Sequence, residues 1–365
     1  MQLLIYLFGG VGAGHTHTHK VRDTHTHKVV MVDDLPRSSH KAHAMHPLPP
    51  DFIARCGIYS SMRDMWGLDK LLLSHVPCGN PRSLMRQELA GIAAAEYHVG
   101  LKTDGVRMFL YMGHYVSDDG ARTNYAVCID RAFRIYAVNV STRDAMHYGG
   151  SLFDGELLRS EDTGGLRYVF FDAVYVSGRD VKQLPFSARI SALHASLDHI
   201  HVSFDNVPVH VSVKQWTAYQ QCELAVWSAA VRQRSCDGII FVKENGPVQA
   251  GTQPDMFKWK PASHHTIDFM WDLKRKKLVL CDNNGDYVSA SRIGVTIQAE
   301  WSTRLTTHKV VVECIMARTG EDAWSARPVC VRDDKKKPNN INIAALTLRN
   351  ISENVDLSEI FPCTK

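Results

Sequence analysis

Lys102-Thr103-Asp104-Gly105-Val106-Arg107 sets a lysine directly before a small hydroxyl residue, a carboxylate and a glycine, between two hydrophobic runs. Taken alone, the K-x-D-G pattern reads as a charged hairpin turn. It has company farther along, in Asp154-Gly155-Glu156, Asp237-Gly238 and Lys258-Trp259-Lys260. Gly105, Gly155 and Gly238 each follow an acid, and a residue without a Cβ lets the backbone turn close to a ligand. A lysine can act as a nucleophile only as the neutral amine. At an unperturbed pKa of about 10.4, roughly one lysine in a thousand is neutral near pH 7.5, a penalty of about 4 kcal/mol. A neighbouring cation, Lys258, Lys260 or a divalent metal, disfavours the ammonium form. Carboxylates at Asp104, Glu156 and Asp237 suit metal or ribose contacts. Phosphoryl chemistry needs its charge neutralised in this way by Mg²⁺ or Mn²⁺ and fixed cationic side chains.

The elements that must hold these residues are mostly short strands. Tyr97–Leu101 and Val106–Met112 read as extended, on either side of the lysine stretch. Tyr125–Arg131 with Phe133–Val138 predicts a hairpin, and Ser151–Leu158 and Tyr168–Val176 predict two more strands. Helical spacing predicts helices over Pro81–Ala95, Ser187–His199, Thr217–Arg234 and, amphipathically, Ile343–Phe361. Strands without regular βα alternation predict an α+β fold rather than a doubly wound sheet. Pro261–His265 reads as a linker, and about five short strands after it have the texture of a small β-barrel, an OB-fold. The expected organisation is a disordered histidine-rich segment over 1–50, a catalytic domain over 51–262, a barrel over 263–342 and a C-terminal helix over 343–365 that returns to the first domain. In the first segment, Gly9–Gly14 lacks the Gly-Lys-Ser/Thr of a phosphate loop, and the alternating histidines from His15 have no carboxylate or cysteine framework.

The 365 residues carry a formal charge of +4 with 22% charged side chains, a composition that permits a polyanionic partner without requiring one. Nine cysteines, no two at C-x-x-C spacing, read as reduced, mostly buried thiols of an intracellular protein rather than as a disulfide frame or a zinc site. No apolar run reaches the roughly 18 residues of a membrane span. The expectation is a soluble protein with no membrane partner, in the nucleus or the cytoplasm.

Six stretches in order make the stronger signal: Lys102-Thr103-Asp104-Gly105, Phe153-Asp154-Gly155-Glu156, Phe170–Val174, Asp237–Phe241, Phe257-Lys258-Trp259-Lys260-Pro261 and Arg332-Asp333-Asp334-Lys335. From about Pro81 to Phe361 the chain resembles the covalent nucleotidyltransferase superfamily of capping guanylyltransferases and polynucleotide ligases. It looks most like the capping enzymes of large DNA viruses of the chlorella-virus type. Phe171–Gly178, Lys260–Phe269 and Arg332–Asn339, the last fitting R-x-D-K-x-x-P-N, carry that likeness. The resemblance implies that Lys102 forms a lysyl-GMP phosphoramidate from GTP and passes GMP to an RNA 5′-diphosphate end. It implies that Arg107, Arg131 and Glu156 hold the ribose or neighbouring phosphate. By the same resemblance Phe171 would stack on the guanine, Lys214 would lie near the base edge, Asp237 would assist the metal, and Lys258 and Lys260 would grip the α-phosphate. Arg332, Asp334 and Lys335 on the barrel are implied to reach the β- and γ-phosphates when that domain closes.

Bland readings stand beside these. Of Phe170 and Phe171, which alternate in one strand, one belongs to the core. Glu156 could be an ordinary strand residue, and Lys274-Arg275-Lys276-Lys277 reads as a solvated turn rather than an RNA patch. The rival functions are an ATP-dependent polynucleotide ligase using the same lysine and a non-catalytic OB-fold binding subunit. The chain has no HCxxxxxR loop and no methyltransferase glycine motif. RNA triphosphatase and cap methyltransferase are therefore expected on separate polypeptides, with this chain acting as a monomer.

Overall fold

The structure is a computed structural model that describes residues 47–48, 62, 78–116, 119–160, 164–232, 236–333 and 335–362. The expectation of disorder over 1–50 falls almost wholly outside the described residues, and Asp334 is also outside them. Three sheets carry an α+β architecture. The first runs β1 (Gly79–Ser83), β14 (Gly251–Trp259), β13 (Cys236–Lys243), β2 (Tyr97–Thr103) and β12 (Thr217–Ala218). The second runs β5 (Ile135–Ala137), β4 (Arg122–Asp130), β3 (Val106–Val116), β7 (Ser151–Arg159), β8 (Leu166–Val176), β11 (Val207–Val213), β10 (Ile200–Phe204) and β6 (Asn139–Thr142). β9 (Arg179–Asp180) pairs with β8 beside this path.

Strand β3 explains why the second sheet is central. Met108, Leu110 and Met112 pack into one core with Phe153, Phe170 and Leu193 of α2 (Phe186–Leu197). The alternate residues Phe109 and Tyr111 pack into another with Leu152, Val174 and Met62. Its near-continuous apolar run is thus buried on both faces, as period-2 geometry requires. The turn at Asp104-Gly105 is not a hairpin: β2 pairs with β13 and β12, whereas β3 pairs with β4 and β7. It carries the chain from the first sheet to the second, so Lys102 stands where the two sheets meet.

The third sheet runs β17 (Tyr287–Ser289), β16 (Lys277–Cys281), β15 (Thr266–Asp272), β19 (Val310–Arg318), β20 (Trp324–Val331) and β18 (Val295–Ile297). Its two edge strands, β17 and β18, are joined by the short turn Ala290–Ile293 and Gly294. That link curls the sheet into a nearly closed barrel around Phe269, Trp271, Leu280, Val288, Val295 and Trp324.

Two helix expectations change. Gly79–Ser83 pairs in parallel with β14, leaving only α1 (Leu89–Ala94) and a preceding 3-10 turn helical in the 81–95 segment. Within 217–234, β12, a 3-10 turn and the seven-residue α3 (Leu224–Ala230) replace one long helix. Helix propensity is a weak prior that strand pairing overrides. α4 (Ala299–Arg304) lies within the barrel segment. The terminal segment is two helices, α5 (Ile341–Glu353) and α6 (Leu357–Ile360), broken where Asn354 turns left-handed at φ 43°. After the break, Val355, Ile360 and Phe361 pack on the first sheet's core, and Trp259 Nε1–H donates to Val355 O at 2.8 Å. The seven described cysteines are free thiols. Among the described residues no helix is long and apolar enough to cross a membrane.

Candidate active site

The site begins with a β-bulge. In the β2–β13 ladder, Cys236 lies opposite Thr103 and Gly238 opposite Lys102, so Asp237 is the extra residue. A bulge re-aims the side chain it carries, and here the Asp237 carboxylate is aimed at Lys102 Nζ, with which it forms an ion pair. Only glycine suits the next position: Gly238 has φ 141°, and a Cβ on it would lie 2.0 Å from Trp259 O. Trp259 is buried with the first sheet's core, which turns its neighbours Lys258 and Lys260 to the other face of β14. Lys260 Nζ reaches the same Asp237 oxygen as Lys102, at 2.5 Å. Burial raises the Asp237 carboxyl, but Lys102 and Lys260 outweigh it and hold the group below its usual range. Lys258 is lowered by burial, then by Lys260, Lys102 and Arg131.

Glu156 and Lys214 fix the lysine turn. Glu156 Oε1 accepts from Gly105 N–H at 3.1 Å, and its other oxygen accepts from the Thr103 hydroxyl. Lys214 Nζ donates to Leu101 O at 2.9 Å and Thr103 Oγ1 at 3.3 Å. Burial pushes Lys214 down to about 8; Glu156 pulls the other way and Lys102 adds to the fall. Arg107 is occupied by the protein. Its Nε–H donates to Asp154 Oδ1 at 2.9 Å, and the guanidinium also donates to Asn80 Oδ1 at 2.7 Å and Gly79 O at 2.8 Å. It thereby ties β3 and β7 to β1. Partial burial and Arg107 lower Arg131, against the pull of Asp154 and Glu156.

The aromatic pair is sorted by a second bulge. Asp154 pairs with Asp172 and Gly155 with Phe170, so Phe171 is skipped in the β7–β8 ladder. Phe170 is fully buried and stacks on Tyr168 at 4.0 Å. Phe171 is partly exposed, with Lys214 Nζ 5.2 Å and the Arg107 guanidinium 5.7 Å from its ring centre.

Lys102, Lys214, Asp237, Lys258 and Lys260 therefore converge, with Arg107, Arg131, Glu156 and Phe171 on the adjoining wall. Arg332 and Lys335 form a separate cluster on the barrel. Arg332 NH1 donates to Asp268 Oδ1 at 3.2 Å and Glu313 Oε2 at 3.3 Å, and Lys335 pairs with Asp268. Sequence reasoning passed over Asp154 and Asn80 as partners of Arg107, although Asp154 stands inside a quoted motif. It also passed over His265, which burial and then Lys260 push down to about 4, a neutral imidazole beside the lysines. A cavity of about 850 Å³ opens elsewhere, between α3, the turn at Pro261–His264 and the 354–358 segment. Trp259 lines it, from the face of β14 opposite Lys258 and Lys260.

The Lys214 ammonium carries a measurable consequence. A folded-state value near 8 against an ordinary 10.5 means that the unfolded chain binds more protons between those limits. Stability therefore rises with pH through that window, fully penalised below it and relieved above it. Relative to Lys214→Met, the wild type should gain about 3 kcal/mol between pH 8 and 10.5, read by urea unfolding at stepped pH. A constant difference would rule the depressed lysine out.

The family model for "mRNA capping enzyme, catalytic domain" matches residues 54–262. The mRNA-capping enzyme subunit alpha of Schizosaccharomyces pombe is 25% identical over 323 residues, 78% of each chain. The subunit alpha of Saccharomyces cerevisiae is 27% identical over 206 residues, 49% of this chain and 43% of that one. The mRNA-capping enzyme of Danio rerio is 26% identical over 213 residues, 54% of this chain and 34% of that one. Among solved structures, a mycobacterial DNA ligase D complexed with ATP and MES superposes with TM-score 0.41 at 14% identity, over 71% of this chain and 96% of that one. With more than half its length matched by that family model, the chain belongs to the mRNA capping enzyme catalytic-domain family.

Proposed function

We propose that the chain is an mRNA guanylyltransferase that takes GTP, forms a lysyl-GMP intermediate on Lys102, and transfers GMP to an RNA 5′-diphosphate end. What carries the reading is the Lys102–Asp237–Lys260 arrangement in the bulge, with Lys258 beside it and Phe171 across from it. The neutral Lys102 amine attacks the α-phosphorus, the Pα–O–Pβ bond breaks, and pyrophosphate leaves. The attacking nitrogen then loses its extra proton. In the second half, an oxygen of the RNA β-phosphate attacks the same phosphorus, the P–N bond breaks, and the lysine nitrogen takes back a proton.

Lys258 and Lys260 hold the α-phosphate in this scheme, and Phe171 with Lys214 holds the base. Arg131 meets the sugar or phosphate. Glu156 and Arg107 place the lysine turn and the sheet junction, and Glu156 and Arg107 reach the ribose as the nucleotide enters. Among the described residues no three His, Cys, Asp or Glu side chains cluster as a metal cage. A single carboxylate, Asp237, together with nucleotide oxygens suits Mg²⁺ or Mn²⁺, which binds one or two carboxylates plus substrate phosphates. When bound, the ion supplies neutralising charge at the phosphates.

The chain divides into a nucleotidyltransferase domain over 51–262, an OB-fold over 263–342 and a returning C-terminal segment over 343–365. The barrel closes over GTP so that Arg332, Asp334 and Lys335 reach the β- and γ-phosphates, orient pyrophosphate for departure, and reopen for RNA. In the present arrangement Asp268 and Glu313 hold Arg332 and Lys335. The triphosphatase and methyltransferase steps belong to other polypeptides, and the enzyme acts as a monomer. The test is incubation with a divalent metal and α-labelled GTP or ATP. An acid-labile, base-stable protein adduct from GTP alone is expected. An adduct from ATP alone would mark a ligase, and no adduct from either would mark a binding subunit.

A further inference from the structure

The turn Lys274-Arg275-Lys276-Lys277 has no part in that scheme. It joins β15 to β16 and is exposed throughout. The fold brings a distant segment against it: Lys309 N–H donates to Trp271 O at 2.9 Å, and Leu273 N–H donates to His308 Nδ1 at 3.2 Å. Exposed Lys309 thus joins the four-residue basic turn. The local carboxylate, Asp272, is engaged by Arg275 at 3.1 Å and lies 3.8 Å from His308. Among the described residues no carboxylate pairs with Lys274, Lys276, Lys277 or Lys309. Lys276 and Lys309 also hold φ of 50° and 58°. A side chain with a Cβ is disfavoured there by roughly 1–2 kcal/mol, and glycine or asparagine would be the low-energy choice. Lysine occupies both positions against the backbone's preference.

The direction this patch faces gives it meaning. Ile267, Phe269 and Trp271 point into the barrel core, so Asp268, Met270 and Asp272 lie on the opposite face of the strand, where Asp268 and Met270 are themselves buried. On that face Asp268 lies opposite Glu313, Met270 between Val279 and Val311, and Asp272 opposite Lys277. Arg332 and Lys335 are bound to Asp268 at one end of the row. The basic turn stands at the other end, four residues along β15, about 13 Å away at roughly 3.3 Å per residue. Tyr287 is 48% exposed on that same face, because its neighbour Val288 points inward.

We propose that the exposed basic turn is the downstream end of a track for the RNA acceptor, with Lys274, Lys276, Lys277 and Lys309 holding backbone phosphates beyond the 5′-diphosphate end. The inference rests on the guanylyl-transfer reading above. A cationic strip with an exposed aromatic ring fits a single strand, whose backbone it follows without reading sequence. The spacing of about 13 Å corresponds to about four stacked nucleotides at roughly 3.4 Å each. The first nucleotides reach toward the phosphate-binding cations while the following ones are held on the basic turn.

The test uses the full chain with Lys274→Glu, Lys276→Glu and Lys309→Glu combined, and the matching triple change to glutamine. GMP-adduct formation from GTP should stay within about twofold of wild type, which also reports an intact fold. KM for a diphosphate-ended RNA of about 20 nucleotides should rise at least about tenfold in the glutamate variant. The glutamine variant should flatten the dependence of log KM on log salt by about 2, from three lost contacts at roughly 0.7 each. A diphosphate-ended dinucleotide should be capped as well as by wild type. Unchanged KM for the long RNA, equal losses with both acceptors, or a matching loss in adduct formation would each overturn the track. A wild-type protein that forms no GMP adduct would instead defeat the guanylyl-transfer reading, and the track with it.

Discussion

Lys102→Ala should abolish the GMP adduct, lowering labelling by at least about four orders of magnitude while leaving the fold in place. Removing a covalent nucleophile eliminates the reaction coordinate rather than weakening one contact to it, so the loss belongs with the largest single-residue effects. Stability should change by no more than about 1 kcal/mol. Lys102 is a partly exposed strand-end residue, and Asp237 keeps Lys260 as its partner. Lys102→Arg should be equally inactive, because a guanidinium does not deprotonate in proteins and cannot offer the lone pair. The cluster itself supplies the control. Lys214 has the lowered affinity for its proton that a nucleophile needs, but its Nζ is committed to Leu101 O and Thr103 Oγ1. Full labelling in Lys102→Ala together with none in Lys214→Met would transfer the assignment to Lys214. Thermal unfolding beside the labelling assay separates lost chemistry from lost structure.

Arg189→Met should cost about 3–5 kcal/mol, a large part of the 5–15 kcal/mol that a domain of ordinary stability possesses. Arg189 is 1% exposed and clasps Asp172 through Nε–H at 2.8 Å and a second N–H at 3.1 Å. Its remaining donors reach Leu184 O at 2.7 Å and Gly246 O at 3.2 Å. Asp172 lies directly opposite Asp154 in the β7–β8 ladder, so two buried carboxylates are kept apart electrically by two guanidiniums, Arg189 and Arg107. Methionine fills the volume but leaves the Asp172 carboxyl buried, without its partner and facing another carboxylate. Because Asp172 follows Phe171, the loss should also weaken nucleotide binding. The double variant Arg189→Met with Asp172→Leu should recover more than half of the stability, since removing both charges removes the desolvation penalty. Urea unfolding reads both variants, and a cost below about 1 kcal/mol for the single change would show that the pair is not what holds α2 to the sheet.

Residue types and their order were enough to identify much of the site. Lys102, Asp237, Lys258 and Lys260 lie within short contiguous motifs, and the central strands β3, β4, β7 and β8 were readable because their branched and aromatic runs have strand composition. The basic turn at Lys274–Lys277 was visible too, but as a loop with no partner. Other features depended on register and contact between segments that are separate in the sequence. The Asp237 bulge decides that this carboxylate, rather than Asp104, meets Lys102, and the Phe171 bulge decides which phenylalanine leaves the core. That Asp154, Asn80 and Gly79 also hold the Arg107 guanidinium could not be read from its motif. The segments at 81–95 and 217–234 have helix-forming composition, yet pairing with β14 and β2 took part of each into strands. The inventory of reactive groups and the α+β class could be read from the chain alone, because those follow from side-chain chemistry and short-range periodicity. Which groups touch was decided only by the tertiary structure, because a ladder slipped by one residue turns every side chain to the opposite face.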